Sequence, residues 1–433
     1  MTTVYAGVDG DRERLRAEVS ARLRQATITG ASDDADRDST VETVITAVLR
    51  ERNLAALRDQ QPPMPAAVEE QLRQSLRDAF IGLGDLQRYI DDPDVEDIEV
   101  NGCDNVWVTW AGQPRRQVPP VAGSDDELID MLQTLARRSG AQERRFDLGV
   151  PELDLRLSDG SRLFATMAVT ERVSVTIRRH RFLTLTLADL ARMGSITPAM
   201  VDMFTALMKA RCNLIISGGM GTGKTTMARA LCRVIPPSER IITIEDPYEL
   251  GLDRDPEHPN VVAMQPRQPN IEGKGGIDMT ALVRYATRMN PDHVVVGEVR
   301  GPEVIPLLNA FNQGTDGSLT TIHASGTRDA WMKIAAYARQ AKEQLPFDVT
   351  FLLIGGGVDV VVQLAQSADG KHRYVSGIRE VVDADATQVR SNEIFRAGRD
   401  GRAMLVGRFS DPMTERLDMI GYDVRSLGQR NPS

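Results

Sequence analysis

The sequence is poor in residues that mark several protein classes. It has only three cysteines, Cys103, Cys212 and Cys232, and they lie far apart, so neither a disulfide framework nor a CxxC metal pair is expected. Apolar runs such as 351–364 are interrupted by glycine or aspartate before the roughly 18 residues that a membrane span needs. The first residues carry acids and arginines and lack the apolar segment of a secretory signal. We therefore expect a cytoplasmic chain without a membrane span.

Positive charge is also scarce. The 52 lysines and arginines face 61 acids, and the net charge of -9 has the wrong sign for a protein that coats nucleic acid. No direct nucleic-acid contact is expected, although a local basic patch stays open. Only 6 of the basic residues are lysines, and the first is Lys209, so a lysine inside a glycine-rich loop stands out. The hydrophobic and charged fractions, 41% and 26%, are ordinary for globular proteins, and 433 residues predict two or three cores.

The first region, residues 1–90, has the pattern of a variable helical N-terminal extension. Charged, Ala/Leu/Arg-rich segments predict helices over residues 11–29 and 41–57. The acidic segment ASDDADRDST at 31–40 between them predicts a flexible linker. Apolar residues spaced three or four apart predict one further helix over 66–89 with a single buried face.

The rest of the chain predicts two domains of different fold class. Residues 91–183 contain short alternating runs and a helical segment near 125–138, which predicts a small α+β N-terminal domain. In residues 184–433 strands and helices alternate strictly, which predicts an α/β fold with a mainly parallel sheet covered on both faces, followed by a C-terminal subregion.

A glycine-rich segment in the third region carries the strongest chemical signal. In NLIISGGMGTGKTT an apolar strand is followed by Gly-x-x-x-x-Gly-Lys-Thr and then by a helical pattern. Backbone N–H groups of such a loop surround a β-phosphate, the lysine neutralises β and γ oxygens, and the threonine hydroxyl binds Mg²⁺. A chance match remains the alternative. The predicted phosphate-binding residues are Gly218, Gly219, Met220, Gly221, Thr222, Gly223, Lys224, Thr225 and Thr226.

Acidic residues follow two later apolar strands. RIITIEDPYEL ends in Glu245 and Glu249, and PDHVVVGEV ends in Glu298. Ligands of open α/β sheets gather beyond the carboxyl ends of strands, so these acids are candidates to face the phosphates and polarise a water molecule. Glu298 has the place of a Walker B acid and is predicted, with Thr225, to hold Mg²⁺. The alternative for each acid is a solvated strand end.

A histidine ends the strand GSLTTIHA. His323 is a candidate sensor of the γ-phosphate, because its strand is expected to neighbour the phosphate loop. A lone histidine at a strand end is more often structural, and that alternative stays open.

These pieces together resemble the type II/type IV secretion ATPase family, and most closely its CpaF/TadA-like branch, which drives tight-adherence pilus assembly. The resemblance covers residues from about 94 to 382. It is carried by the segments IEVNGCDNVWV, RLSDGSRLFA, VTIRRH, NLIISGGMGTGKTT, RIITIEDPYEL, RMNPDHVVVGEVRGPEV and DGSLTTIHA.

The resemblance implies a RecA-like P-loop domain that hydrolyses ATP with Mg²⁺. It also implies a homo-hexameric ring in the cytoplasm, associated with the inner membrane through platform proteins of a pilus or secretion machine. By resemblance Glu245 and Glu249 form an acidic box, Glu298 is the Walker B glutamate and His323 the His-box histidine.

Two arginines and one threonine complete the comparison with the family. Arg162 and Arg178 match family positions that reach nucleotide, and the alternative is that they form surface ion pairs. Thr315 stands where relatives have a second histidine.

Two other functions stay open at this stage. One is a conjugation or DNA-uptake motor of the same superfamily. The other is a nucleotide-binding switch with little turnover.

Overall fold

The computed structural model describes residues 14–23, 25, 34–138, 145–157, 159–179, 184–267, 269 and 273–429. The chain divides into two compact units, Met1–Arg181 and Phe182–Ser433. Each unit has hydrophobic cores of its own. Among the described residues, no helix combines the length and the apolar character that a membrane crossing requires. The predicted division at residue 90 stays a prediction.

The first unit begins with helices that differ in extent from the predicted ones. Residues 14–23 and 25 are helical, and the rest of the predicted helix over 11–29 lies outside the described residues. The prediction of a linker over 31–40 was wrong from residue 34, because the next helix is Asp34–Arg58. Once its buried face is anchored, each added residue gains one backbone hydrogen bond, so the helix extends into the acidic segment.

The helix predicted over 66–89 is interrupted. The observed helix is Ala66–Phe80. It is followed by a 3₁₀ turn, Gly84–Leu86, and by a short helix, Gln87–Asp91. Two glycines at 82 and 84 explain the break, since glycine is a poor helix former. Leu72 and Leu76 pack with Val41, Ile45 and Val48 in a small helical core.

A six-stranded antiparallel sheet completes the first unit, as the alternating runs predicted. Its order is β3-β2-β1-β6-β5-β4. One face packs against the helix Asp125–Arg138 through residues such as Ile98, Leu163 and Ile177. The strands are β1 (Val95–Asn101), β2 (Val106–Trp110), β3 (Arg116–Val118), β4 (Glu152–Arg156), β5 (Arg162–Thr166) and β6 (Ser174–Arg178).

The second unit contains a nine-stranded sheet of order β15-β14-β13-β12-β7-β11-β10-β8-β9. The six strands from β12 to β9 are parallel, which confirms the predicted α/β fold, and β13, β14 and β15 add an antiparallel extension. The strands are β7 (Leu214–Gly218), β8 (Ile241–Ile244), β9 (Val261–Met264), β10 (His293–Val299), β11 (Leu319–Ile322), β12 (Val360–Gln366), β13 (Arg373–Ala384), β14 (Val389–Ala397) and β15 (Ala403–Leu405).

Helices cover both faces of this sheet. Leu214 and Ile216 point into one core and Ile215 into the other, because successive side chains of a strand alternate between faces. The covering segments are Leu187–Arg192, Pro198–Lys209, Lys224–Cys232, Leu252–Arg254, Met279–Ala286, Val304–Phe311, Thr327–Gln340, Phe347–Gly357, Asp411–Met419 and Ser426–Gln429.

Candidate nucleotide site

The glycine-rich loop joins β7 to the helix that begins at Lys224. Gly223 is the N-cap of this helix and has φ of +91°, a backbone conformation that residues with a Cβ rarely adopt. The Thr222 hydroxyl donates to the Gly219 carbonyl at 3.0 Å and so stabilises the loop. The structure therefore gives residues 218–226 the strand–loop–helix geometry that binds phosphate groups.

Lys224 is buried against its own loop. Its Nζ donates to the carbonyls of Gly218 at 3.2 Å and Gly219 at 2.9 Å, and only 8% of the side chain is exposed. Burial lowers the pKa of Lys224, and the nearby carboxylates of Glu298 and Glu249 oppose this effect. The ammonium group thus lies at the loop, held by acceptors that a phosphate could replace.

His323 lies between Lys224 and Glu298. Its Nδ1 is 3.2 Å from Lys224 Nζ, and its Nε2 is 2.9 Å from Glu298 Oε1. An ammonium group only donates hydrogen bonds, so Nδ1 accepts, and the ring proton then lies on Nε2 and points to Glu298. Burial lowers the pKa of His323, aided by Lys224 and opposed by Glu298, which agrees with a neutral ring. Glu298 also pairs with Arg300.

Thr225 contacts a different acid from the one predicted to share Mg²⁺ with it. Its hydroxyl donates to Glu249 Oε2 at 3.1 Å. The carboxylate of Glu298 lies 3.9 Å from Lys224 Nζ. Hydroxyl and carboxylate oxygens are the ligands that Mg²⁺ prefers. The Thr225 hydroxyl and the carboxylates of Glu249 and Glu298 are thus groups of the kind that would hold Mg²⁺, and the pairing of Thr225 with Glu298 stays a prediction.

Glu245 is buried and shapes the turn that carries Glu249. Its Oε2 accepts the backbone N–H groups of Glu249 at 2.7 Å and Leu250 at 2.6 Å. Arg229 holds the carbonyl groups of the same two residues, with Nε 2.6 Å from the Leu250 oxygen. Burial raises the pKa of the Glu245 carboxyl. A Cβ at Gly297 on β10 would lie 3.0 Å from Glu245 Cγ, which explains a glycine directly before Glu298.

The two arginines predicted to reach nucleotide lie in the first unit. Arg162 donates to Asp154 at 3.0 Å and Arg178 donates to Asp97 at 3.0 Å, and the two arginines are paired across β5 and β6. Both therefore form ion pairs on one face of their own sheet, as the alternative supposed. Their contact with nucleotide stays a prediction.

Thr315 lies at the edge of the sheet opposite the loop. It precedes β11, whereas His323 follows it, and β11 runs parallel to β7. The Thr315 hydroxyl donates to the Ala310 carbonyl at 2.6 Å. The residue that stands in place of a family histidine is therefore separated by the length of β11 from the glycine-rich loop of the same chain.

Sequence reasoning missed two arginines of the site. Arg229 holds the Glu249 turn, and its only signal was a charged residue within the apolar helix after the loop. Arg373, at the start of β13, donates from Nε to the Gly221 carbonyl at 2.6 Å. No local pattern connects Arg373 with a loop 152 residues earlier.

Comparison with known proteins identifies relatives of this chain. A family model described as "Type II/IV secretion system protein" matches residues 127–410. A putative conjugal transfer protein of Mycobacterium tuberculosis is 33% identical over 307 residues, which are 69% of this chain and 84% of that protein. The type IV secretion system protein VirB11 of Brucella suis is 28% identical over 320 residues, 68% of this chain and 87% of its own length.

A solved structure shares the fold. The X-ray structure of the ATPase DotB from Legionella pneumophila aligns with a TM-score of 0.50 at 19% identity. The alignment covers 69% of this chain and 79% of that protein.

Proposed function

The chain belongs to the type II/IV secretion system protein family, and on this premise we propose that it hydrolyses ATP to drive a membrane-bound secretion machine. The convergence of Lys224, His323 and Glu298 beside a glycine-rich loop carries the proposal. A lysine at a helix N-terminus binds the β and γ oxygens of a nucleoside triphosphate, and a neighbouring carboxylate orients water for attack.

Thr225, with Glu249 or Glu298, would hold the Mg²⁺ ion. When bound, Mg²⁺ neutralises charge that develops on the β and γ oxygens. The oxygen donors of these three residues support this assignment, and Mg²⁺ dependence itself is part of the proposal.

The residues of this chain then have separate tasks. Lys224 exchanges the carbonyls of Gly218 and Gly219 for phosphate oxygens. Glu298 accepts a proton or a hydrogen bond from the attacking water. Neutral His323, with its proton on Nε2, keeps Glu298 oriented and responds to the γ-phosphate through its contact with Lys224.

The finer parts of the proposal concern assembly and location. We infer a cytoplasmic homo-hexamer that joins the inner membrane through platform proteins and powers a tight-adherence pilus or protein secretion, with Arg162 and Arg178 reaching nucleotide. Residues 1–90 would be a helical extension that docks a partner. Family resemblance supports these points.

A second candidate is a motor for conjugal transfer. The relative from M. tuberculosis bears that description, which favours this function over other secretion tasks. Binding of DNA whose affinity falls steeply with salt would support direct handling of DNA, and its absence would leave a motor that serves the channel alone.

The test is Mg²⁺-dependent ATP turnover measured over a series of protein concentrations, with oligomer mass recorded on the same samples. We expect turnover per chain to rise as a hexamer forms. Lys224→Ala is the control, and it should abolish ATP binding and turnover. Tight ATP binding by a monomer without turnover, with or without membranes that contain the platform, would instead indicate the nucleotide switch.

A further inference from the structure

A long-range hydrogen bond ties the glycine-rich loop to the antiparallel extension of the sheet. Arg373 donates from Nε to the Gly221 carbonyl at 2.6 Å. Its Cδ would lie 3.5 Å from a Cβ placed on Gly223, so the aliphatic part of the side chain also lies against the loop. Arg373 thus contacts the loop at two of its glycines.

The sheet order separates two sides of the loop. β7 pairs with β11 on one side and with β12 on the other, where Leu364 is opposite Gly218. His323 follows β11, and the strands that lead to Glu298 and Glu249 lie beyond it. The groups suited to the γ-phosphate are therefore all on one side of the loop.

The nucleoside of a bound nucleotide must then extend to the other side. The loop surrounds the β-phosphate, and the γ-phosphate and the nucleoside leave it in different directions. The segment on that other side is the turn between β12 and β13, which we call the 366–373 turn. This turn lies at the same edge of the sheet as the loop, because β12 and β7 are parallel and both strands end at that edge.

Polar groups of this turn divide into those that hold it and those that are exposed. Gln366 donates to the Gly370 carbonyl at 2.6 Å, and Asp369 accepts the Lys371 N–H at 3.1 Å. Lys371 and His372 are exposed, and within the described part of the chain their side chains make no hydrogen bond or ion pair. Hydrogen bonds from Ser367 and the Lys371 N–H, with a smaller contribution from the charges of His372 and Lys371, lower the pKa of Asp369. The side chains of Lys371 and His372 make no hydrogen bond in the described part of the chain and are accessible to a ligand.

We propose that the 366–373 turn forms the nucleoside side of the nucleotide site, and that Arg373 is the positioning residue that fixes the loop relative to it. The exposed side chains of Lys371 and His372 contact the nucleoside. The inference deepens the proposed function and rests on it, because it assumes that the loop binds ATP.

The test compares two probes, Mg-ATP and Mg-tripolyphosphate, which share phosphate groups but differ in the nucleoside. For the double variant Lys371→Ala/His372→Ala, we expect Kd for ATP to rise about tenfold, while Kd for tripolyphosphate changes less than threefold. For Arg373→Ala, we expect both constants to rise, with KM for ATP increased and kcat within threefold. Arg373→Lys should recover part of the affinity, since lysine still donates to the Gly221 carbonyl.

Arg390→Ala is the matched control, because Arg390 is an exposed arginine on β14 whose ion pairs are with Asp383 and Asp385. Equal loss of both probes in the double variant, or no loss of either, would overturn the assignment of the nucleoside side. An Arg373→Ala variant with parent-like constants would overturn its positioning role. If the parent protein binds neither probe, the proposed function itself fails, and that result is separate from the others.

Discussion

The carboxylate of Glu245 accepts the backbone N–H of Glu249 at 2.7 Å, so one acid of the predicted acidic box positions the other. Glu245 is 2% exposed, while Glu249 reaches the Thr225 hydroxyl. The two glutamates therefore have different roles in the same turn. Glu245 acts as a hydrogen-bond acceptor inside the protein, and Glu249 faces the site.

This difference gives the first prediction. Glu245→Gln keeps an acceptor oxygen for the N–H groups, so we expect kcat for ATP to stay within about tenfold of the parent. Glu245→Ala leaves those N–H groups unpaired in a buried site and should lower kcat much further and reduce thermal stability. Steady-state kinetics and thermal unfolding of both variants measure this. A loss of 10²-fold or more in Glu245→Gln would instead assign chemistry to this acid.

Glu298, unlike Glu245, is expected to need its negative charge for turnover. Glu298→Gln should keep ATP affinity within about threefold, because Lys224 and the loop are unchanged, and should lower turnover by about 10²- to 10⁴-fold through loss of the negative oxygen. Equilibrium binding and single-turnover hydrolysis separate the two effects. Glu343→Gln, in an exposed ion pair with Arg284, is the control and should match the parent. Parent-like turnover in Glu298→Gln would remove this residue from the catalytic set.

Thr315 should contribute little to chemistry within a chain. β11 lies between it and the loop edge and spans four residues, or about 13 Å. We expect Thr315→Ala and Thr315→His to keep kcat and KM for ATP within about twofold, whereas His323→Ala should lose turnover. Loss of tenfold or more at Thr315 in a sample that forms rings, but not in a monomer, would indicate contact with a nucleotide of a neighbouring copy.

The parts of the site that the sequence predicted are local in the chain. The loop from Gly218 to Thr226 is one continuous motif, and Glu298 and His323 each end an apolar strand whose pattern is readable alone. The carboxyl ends of parallel strands lie at one edge of the sheet. The proximity of the loop, Glu298 and His323 therefore followed from the predicted alternation of strands and helices.

The parts that could not be predicted depend on tertiary contacts. Arg373 reaches Gly221 only because β12 pairs with β7, and nothing in either segment specifies that pairing. The contacts of Arg229 could not be predicted either, because its partners are backbone carbonyls, which every residue type provides. The helix predicted over 66–89 was too long, because the periodic apolar residues continue beyond the point near Gly82 and Gly84 where the helix ends.

The last prediction concerns acid stability of the first unit. Asp125 accepts two hydrogen bonds from Arg172, at 2.8 and 2.7 Å, and one from the Cys103 N–H at 2.8 Å. These bonds, above all those from Arg172, lower the pKa of Asp125 to about 2 from an ordinary 3.8. The carboxylate is therefore favoured in the folded state, and its contribution is fully present above about pH 4 and is lost as the pH falls towards 2.

Asp125→Asn should accordingly lower the free energy of unfolding of this unit by about 1 kcal/mol at pH 7. The effect is small because water screens the partly exposed pair of Asp125 and Arg172. The difference from the parent should shrink between pH 4 and pH 2, because the parent loses the same charge there. Denaturant unfolding monitored by Trp107 and Trp110, in a Trp331→Phe background, reports this unit. Asp126→Asn, an exposed neighbour, is the control and should change little at any pH. A difference that stays constant or grows below pH 4 would contradict the prediction, because the bonds to Arg172 would then owe nothing to the charge of Asp125.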